Sequence, residues 1–175
     1  SITDKNGLLP IKINNEKKKH VPIRHTLEIG SAQVKSCLLL AALNVKGTTK
    51  IIEKIPSRDH TEIMLKYLGA DLTKKKNIIS LSSPNFLKPK DIKIPGDFSS
   101  AAFVIVAVLL SKNSKVKIKD VGLNFFRIGL LDVLKKMNAN IKISNKRKFG
   151  GEVVGDIEIR SSKLKATNIN KTISP

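Results

Sequence analysis

LEIGSAQVKSCLLLAAL, residues 27–43, sets Gly30, Ser31, Gln33 and Lys35 directly before a long apolar run. Apolar residues at positions 34, 37, 38, 41 and 42 recur at helical spacing, and Leu39, Leu40 and Leu43 fill the other sides. The pattern predicts a helix over 31–43 that is buried all round beyond its first turn. Such a helix has one chemically useful part, its start. There, unpaired backbone N–H groups and the positive end of the dipole favour an anion. Ser31 is a favoured cap, and its hydroxyl can also donate to a phosphate oxygen. Gly30 allows a ligand close to the backbone, while Gln33 offers a donor and an acceptor. This helix start is either an ordinary cap or an anion site.

Moving 69 positions along the chain reaches the same pattern again. Ser31 lands on Ser100, Ala32 on Ala101, Arg58 on Arg127 and Ala70 on Ala139, and YLGADL at 67–72 falls on KMNANI at 136–141. Strands are expected over 9–13, 50–55, 71–73 and 78–82, with an extended segment over 21–28. Helices are expected over 31–43 and 59–68, the second stopped by Gly69. Beyond it come strands over 91–94, 115–120, 140–144 and 157–161, with helices over 99–110 and 126–137. The stretch 83–90, with Pro84 and Pro89, interrupts strand and helix alike and is the best boundary. Each unit reads β-α-β-α-β-β, so the fold class is α/β, built from repeated units that complete a shared core.

A chain of 175 residues, 41% hydrophobic and 27% charged, has a globular composition. Its longest apolar run, 101–110, suits a buried helix and falls short of the ~18–20 residues of a membrane span. No membrane association is expected. Both ends, Ser1-Ile2-Thr3 and Ile173-Ser174-Pro175, read as cut, so the chain is expected to be a piece of a longer protein. The one cysteine, Cys37, excludes an internal disulfide and fits a reducing, cytoplasmic setting. Within the apolar run it reads as a small buried hydrophobe.

The net charge of +19 has three readings. A nucleic-acid-binding module would use lysines against phosphates. The lysines are scattered through every segment, however, and aromatics are only 4%, without a stacking pattern. A basic surface also steers anionic metabolites inward. Solvated lysine faces account for most of the charge under either reading.

SRDHTE, residues 57–62, opens the second helix. Arg58 suits a bidentate contact with a phosphate or carboxylate, and Asp59 with Glu62 approximates a capping box. His20, His25 and His60 have no partners at metal-ligand spacing, so no metal is expected. No Walker loop, dinucleotide fingerprint or nucleophile elbow occurs. PGDFSSAAF, residues 95–103, repeats the capped helix start, but Asp97 brings a negative side chain. That favours a structural cap there over an anion site.

The phrases SAQVKS at 31–36, RDHTE at 58–62, GADL at 69–72, PGDFSSAAF at 95–103 and GGEVVGDIEIRSSKLK at 150–165 resemble the enolpyruvyl transferase family. The nearest likeness is to its 5-enolpyruvylshikimate-3-phosphate synthases. SAQ with RDHTE is similar to the bacterial class II branch, although Asn124-Phe125-Phe126-Arg127 has Phe126 where that branch often has Thr. The resemblance implies the inside-out α/β fold, in which two domains of three such units close on substrate. Residues 1–90 would form the last unit of the N-terminal domain and 91–175 the first unit of the C-terminal one. It implies transfer of the enolpyruvyl group of phosphoenolpyruvate to the 5-hydroxyl of shikimate 3-phosphate, releasing phosphate, without metal or cofactor. Ser31, Ala32 and Arg58 would then bind shikimate 3-phosphate, and Gln33 both substrates. No nucleic-acid partner is implied, and the parent would be a cytoplasmic monomer. The family's other substrate-gripping residues and its catalytic Asp would fall outside this stretch, leaving the segment inactive alone. UDP-N-acetylglucosamine enolpyruvyl transferase and a basic nucleic-acid-binding module are the alternatives.

Overall fold

Period-two burial along GTTKIIE turns Thr49, Ile51 and Glu53 to one face of a strand and Lys50 to the other. A carboxylate therefore ends an otherwise inward-facing row. The computed structural model containing this strand describes residues 2–5, 8–13, 19–83 and 86–169, so Pro84 of the expected boundary lies outside them. An antiparallel pair, β1 (Ile2–Lys5) and β2 (Leu8–Ile13), comes first. The first unit then runs β3 (Arg24–Leu27), α1 (Ala32–Ala42), β4 (Gly47–Glu53), α2 (His60–Tyr67), β5 (Leu72–Lys75) and β6 (Ile78–Ser83). Its sheet order is β3-β4-β6-β5, with only β3 and β4 parallel.

The second unit comprises α3 (Phe98–Leu110), β7 (Lys115–Gly122), α4 (Gly129–Lys136), β8 (Asn140–Phe149) and β9 (Glu152–Arg160). Its sheet order, β7-β9-β8, repeats the last three strands of the first sheet. The expected strand over 91–94 does not form. A single parallel bridge, Gly96 to Val121, occupies the edge that β3 holds in the first unit. Pro95 has no N–H to give a ladder there. Lys93 anchors the segment through side-chain contacts instead, pairing with Asp120 at 3.0 Å and lying over the Phe149 ring.

Register along the repeat is also corrected. The 69-residue offset holds from the second helix onward, where Gly69 and Asn138 both take left-handed backbone just past the helix end. At the first helices the N-caps are Ser31 and Asp97, each accepting from the backbone N–H three residues on. Asp97, rather than Ser100, is therefore the equivalent of Ser31.

Each unit has its own core. Leu27, Leu39, Ile51, Leu65, Ile79 and Leu81 cluster in the first, and Phe98, Ile105, Leu109, Val121, Leu131 and Ile157 in the second. The first helix is not buried all round. Its inward face is Lys35, Leu39 and Ala42, whereas Val34, Cys37 and Leu40 are exposed. Cys37 thus stands on the open side instead of in the core. α3 does the same, burying Ile105, Val108 and Leu109 and exposing Phe103 and Leu110. A helix apolar on every side needs covering on every side, and one unit covers only half of it.

The units meet through α2. Gly151, at the β8–β9 turn, comes so near that a Cβ there would lie 2.9 Å from the Ile63 side chain. Asn124 donates to Asp59 at 2.8 Å, His60 Nδ1 meets Glu152 at 2.5 Å, and Tyr67 donates to the Asp91 carbonyl at 3.1 Å.

Where β4 ends, the inward Glu53 meets Lys35, which is fully buried. Lys35 Nζ lies 3.0 Å from Glu53 Oε1 and 2.8 Å from Glu62 Oε1, and Lys74 approaches Glu53 Oε2 at 3.3 Å. Burial alone would push the Glu53 carboxyl up. The hydrogen bonds from Ser57 and Lys35 and the charges of Lys35 and Lys74 outweigh it and hold Glu53 below its ordinary 4.5. A depressed folded value adds stability above the ordinary value that is lost as pH falls below it. Thermal melts should accordingly show stability declining as the pH is lowered below 4.5. Glu53→Gln should melt lower at neutral pH and show a shallower decline; an unchanged acid limb would contradict this.

Candidate functional site

Parallel strands β3 and β4 end side by side, with Leu27 paired to Glu53. The loop after β3 leads into α1 and the loop after β4 into α2, so both helix starts lie beyond the carboxyl ends of adjacent strands. Ligands of open α/β sheets bind in such crevices. The loops touch: a Cβ on Gly30 would stand 3.1 Å from Ile55 Cγ2 and 3.3 Å from the Ile55 carbonyl. The missing side chain of Gly30 thus makes room for the neighbouring loop, not for a ligand as its sequence position suggests.

Ser31 has extended backbone, and its hydroxyl accepts from the Val34 N–H at 3.3 Å. A bond that long holds the oxygen loosely, and the hydroxyl proton stays free to donate. Ser31 and Ala32 are half-buried and Gln33 is exposed. No acidic residue lies in the first turn of α1. Arg58 is exposed, with no ion pair or hydrogen bond among the described residues. The structure thus places Ser31, Ala32 and Gln33 at the start of α1 and Arg58 just before α2, both beyond the carboxyl ends of β3 and β4, with the loops that lead to them in contact. The nearby Lys54 and Glu28 pair with each other at the surface.

The second unit contains the same parts in a different state. Arg127 Nη2 lies 2.7 Å from Asp97 Oδ1 and 2.6 Å from Ser99 Oγ. Asp97 Oδ2 meanwhile accepts from the backbone N–H and hydroxyl of Ser100 at 2.9 and 3.0 Å. These bonds, the Ser100 backbone first, hold the Asp97 carboxyl below its usual range, with Arg127 adding to them. The helix start and arginine here are already occupied by a carboxylate of the chain itself. In the first unit, among the described residues, no carboxylate occupies either.

The expected capping box fails. Asp59 is the N-cap of α2 but makes no side-chain cap bond, giving its carboxylate to Asn124 instead. Glu62 turns inward to Lys35. Sequence reasoning assigned no role to Lys35, Glu53 or Ser57. In the sequence Lys35 falls outside the apolar positions 34, 37, 38, 41 and 42, so nothing there marks it as inward-facing. Among the described residues, no group of three or more His, Cys, Asp or Glu side chains is disposed to hold a metal ion. No described helix is long and apolar enough to cross a membrane. A cavity of about 390 Å³ lies at the junction of the units, lined by His60, Met64, Ile94, Asp97, Arg127 and Phe149 among others. None of the four candidate residues lines it.

The family model for EPSP synthase (3-phosphoshikimate 1-carboxyvinyltransferase) matches residues 1–175. A 3-phosphoshikimate 1-carboxyvinyltransferase from Petrotoga mobilis is 47% identical over 155 residues, covering 88% of this chain and 36% of that protein. The one from Novosphingobium aromaticivorans is 43% identical over 174 residues, covering 97% and 39%. The structure of EPSP synthase from Acinetobacter baumannii superposes with a TM-score of 0.89 at 37% identity, covering 99% of this chain and 39% of that one. The chain thus spans under two fifths of the length of these relatives, and the likeness extends to three-dimensional structure. Neither the nucleic-acid-binding reading nor the UDP-N-acetylglucosamine branch is favoured by these matches. On a family match through all 175 residues, the chain belongs to the EPSP synthase (3-phosphoshikimate 1-carboxyvinyltransferase) family.

Proposed function

We propose that this chain is part of an enzyme that transfers the enolpyruvyl group of phosphoenolpyruvate to the 5-hydroxyl of shikimate 3-phosphate, with release of phosphate. Within it, residues 1–90 form the last unit of the N-terminal domain and 91–175 the first unit of the C-terminal domain. The parent is a cytoplasmic monomer in the shikimate pathway that uses neither metal nor cofactor and has no nucleic-acid partner.

Ser31, Ala32 and Arg58 bind shikimate 3-phosphate, and Gln33 touches both it and phosphoenolpyruvate. The observation that carries this reading is the contrast between the units: among the described residues Arg58 has no partner, whereas Arg127 is paired with Asp97. A phosphate at the start of α1 would receive the backbone N–H groups of the first turn, the Ser31 proton and the dipole of the helix. The Arg58 fork adds a charge-assisted contact to an oxygen pair. These groups bind and orient. The candidate set contains no general base or nucleophile, so the chemical step falls to residues elsewhere in the parent. The basic surface draws the two anionic substrates toward the site.

Titration of the isotope-labelled chain with shikimate 3-phosphate should shift the amides of Ser31, Ala32 and Gln33 first. Arg58→Ala should weaken binding by about tenfold or more, the worth of one charge-assisted contact. Arg127→Ala should leave the affinity unchanged. Shifts centred on Arg127, or full affinity in Arg58→Ala, would overturn the assignment. Given both substrates, the 175-residue chain alone should release no phosphate above background; measured turnover would refute the partial-site reading.

A further inference from the structure

Lys35 is fully buried, and its ammonium does more than neutralise two carboxylates. It donates to the Ser57 carbonyl at 3.3 Å while bonding Glu53 Oε1 at 3.0 Å. The same Glu53 oxygen accepts from the Ser57 backbone N–H at 3.1 Å and from the Ser57 hydroxyl at 2.6 Å. Every polar group of Ser57 is therefore held by this pair. The Ser57 carbonyl belongs to the peptide that begins Arg58, so fixing it fixes the plane from which Arg58 departs. At its other end Lys35 closes the first turn of α1, its N–H donating to the Ser31 carbonyl at 3.1 Å. One residue spans both loops of the candidate site.

The second unit indicates that folding does not require this arrangement. Four residues past the N-cap of α3, where α1 has Lys35, stands Ala101; three past the N-cap of α4, where α2 has Glu62, stands Leu131. Both are buried and apolar, and the unit builds the same helices and sheet order. A buried ion cluster is seldom more stable than apolar side chains of similar volume. The second unit also buries a carboxylate, Asp156, but its partners Lys117 and Arg147 reach solvent. Among the described residues, a fully buried ammonium occurs only at Lys35, and it calls for a role beyond packing. The unit that has it also has the open arginine.

We propose that Lys35 is a positioning residue for the phosphate site: through Ser57 it sets Arg58 against the helix start at Ser31. The functional side of this rests on the reading of that edge as the shikimate 3-phosphate site. The positional side does not.

The test uses the 175-residue chain with Lys35→Ala and Glu62→Leu combined, the residues at the matching positions of the second unit, which leaves Glu53 its Lys74 and Ser57 partners. Lys35→Arg is the conservative variant. Amide exchange followed by NMR should speed up by about tenfold or more at Ser57 and Arg58, with the β-sheet amides unchanged. Affinity for shikimate 3-phosphate should fall by a similar factor, about tenfold, and Lys35→Arg should recover part of both. Unchanged exchange at Ser57 in the folded double variant overturns the proposal, whatever the affinity does. Faster exchange with undiminished affinity overturns its functional side. If the wild-type chain fails to bind shikimate 3-phosphate while exchange responds as expected, the site reading fails and the positioning role stands.

Discussion

A buried ammonium must be satisfied on every side, and at Lys35 that requirement organises the first unit. Glu53 arrives at the end of a strand, Glu62 from the next helix and the Ser57 carbonyl from the loop between them. Three segments that share no local sequence pattern are drawn to one point. Breaking such a cluster by removing one partner costs about 3–5 kcal/mol, because the charge left behind cannot reach water. The outcome is a fixed relation between the start of α1 and the start of α2.

The two units run a comparison within one molecule. They share the order of elements, the strand order of their antiparallel portion and the left-handed residue after the second helix. They differ in where charge sits. The first turns Glu53 and Glu62 inward to Lys35, and Arg58 has no partner among the described residues. The second has Ala101 and Leu131 at the positions of Lys35 and Glu62, and places Asp97 at the surface against Arg127. An arginine already bonded to a carboxylate has little to gain from a ligand anion, whereas an unpaired one beside a neutrally capped helix start gains considerably. The carboxylate that occupies Arg127 has no counterpart at Arg58 among the described residues.

Much of this was legible in the sequence. Apolar spacing and turn residues located the four helices of the described residues, and the caps at Ser31 and Asp97 were visible as residue types. Phrase-level likeness gave the family and, with it, the four candidate residues. Three things were hidden for physical reasons. The strand over 91–94 fails because pairing depends on a neighbour and on Pro95, not on local alternation. The burial of α1 was overestimated because composition does not say how many neighbours a unit has; Val34, Cys37 and Leu40 remain open. Lys35 was invisible because a lysine in a polar first turn looks solvated. Only the inward register of Glu53 and Glu62 reveals where it points.

The central claim is that an unpaired arginine beside a neutral helix cap distinguishes the binding edge from its repeat. Its most direct test is the affinity of Ser31→Asp for shikimate 3-phosphate, measured by calorimetry alongside the wild-type chain. That substitution gives the first unit the cap of the second, with Arg58 within the same loop pair. The account predicts a folded chain with undiminished melting temperature and no measurable binding. Undiminished affinity in a folded Ser31→Asp chain would contradict it.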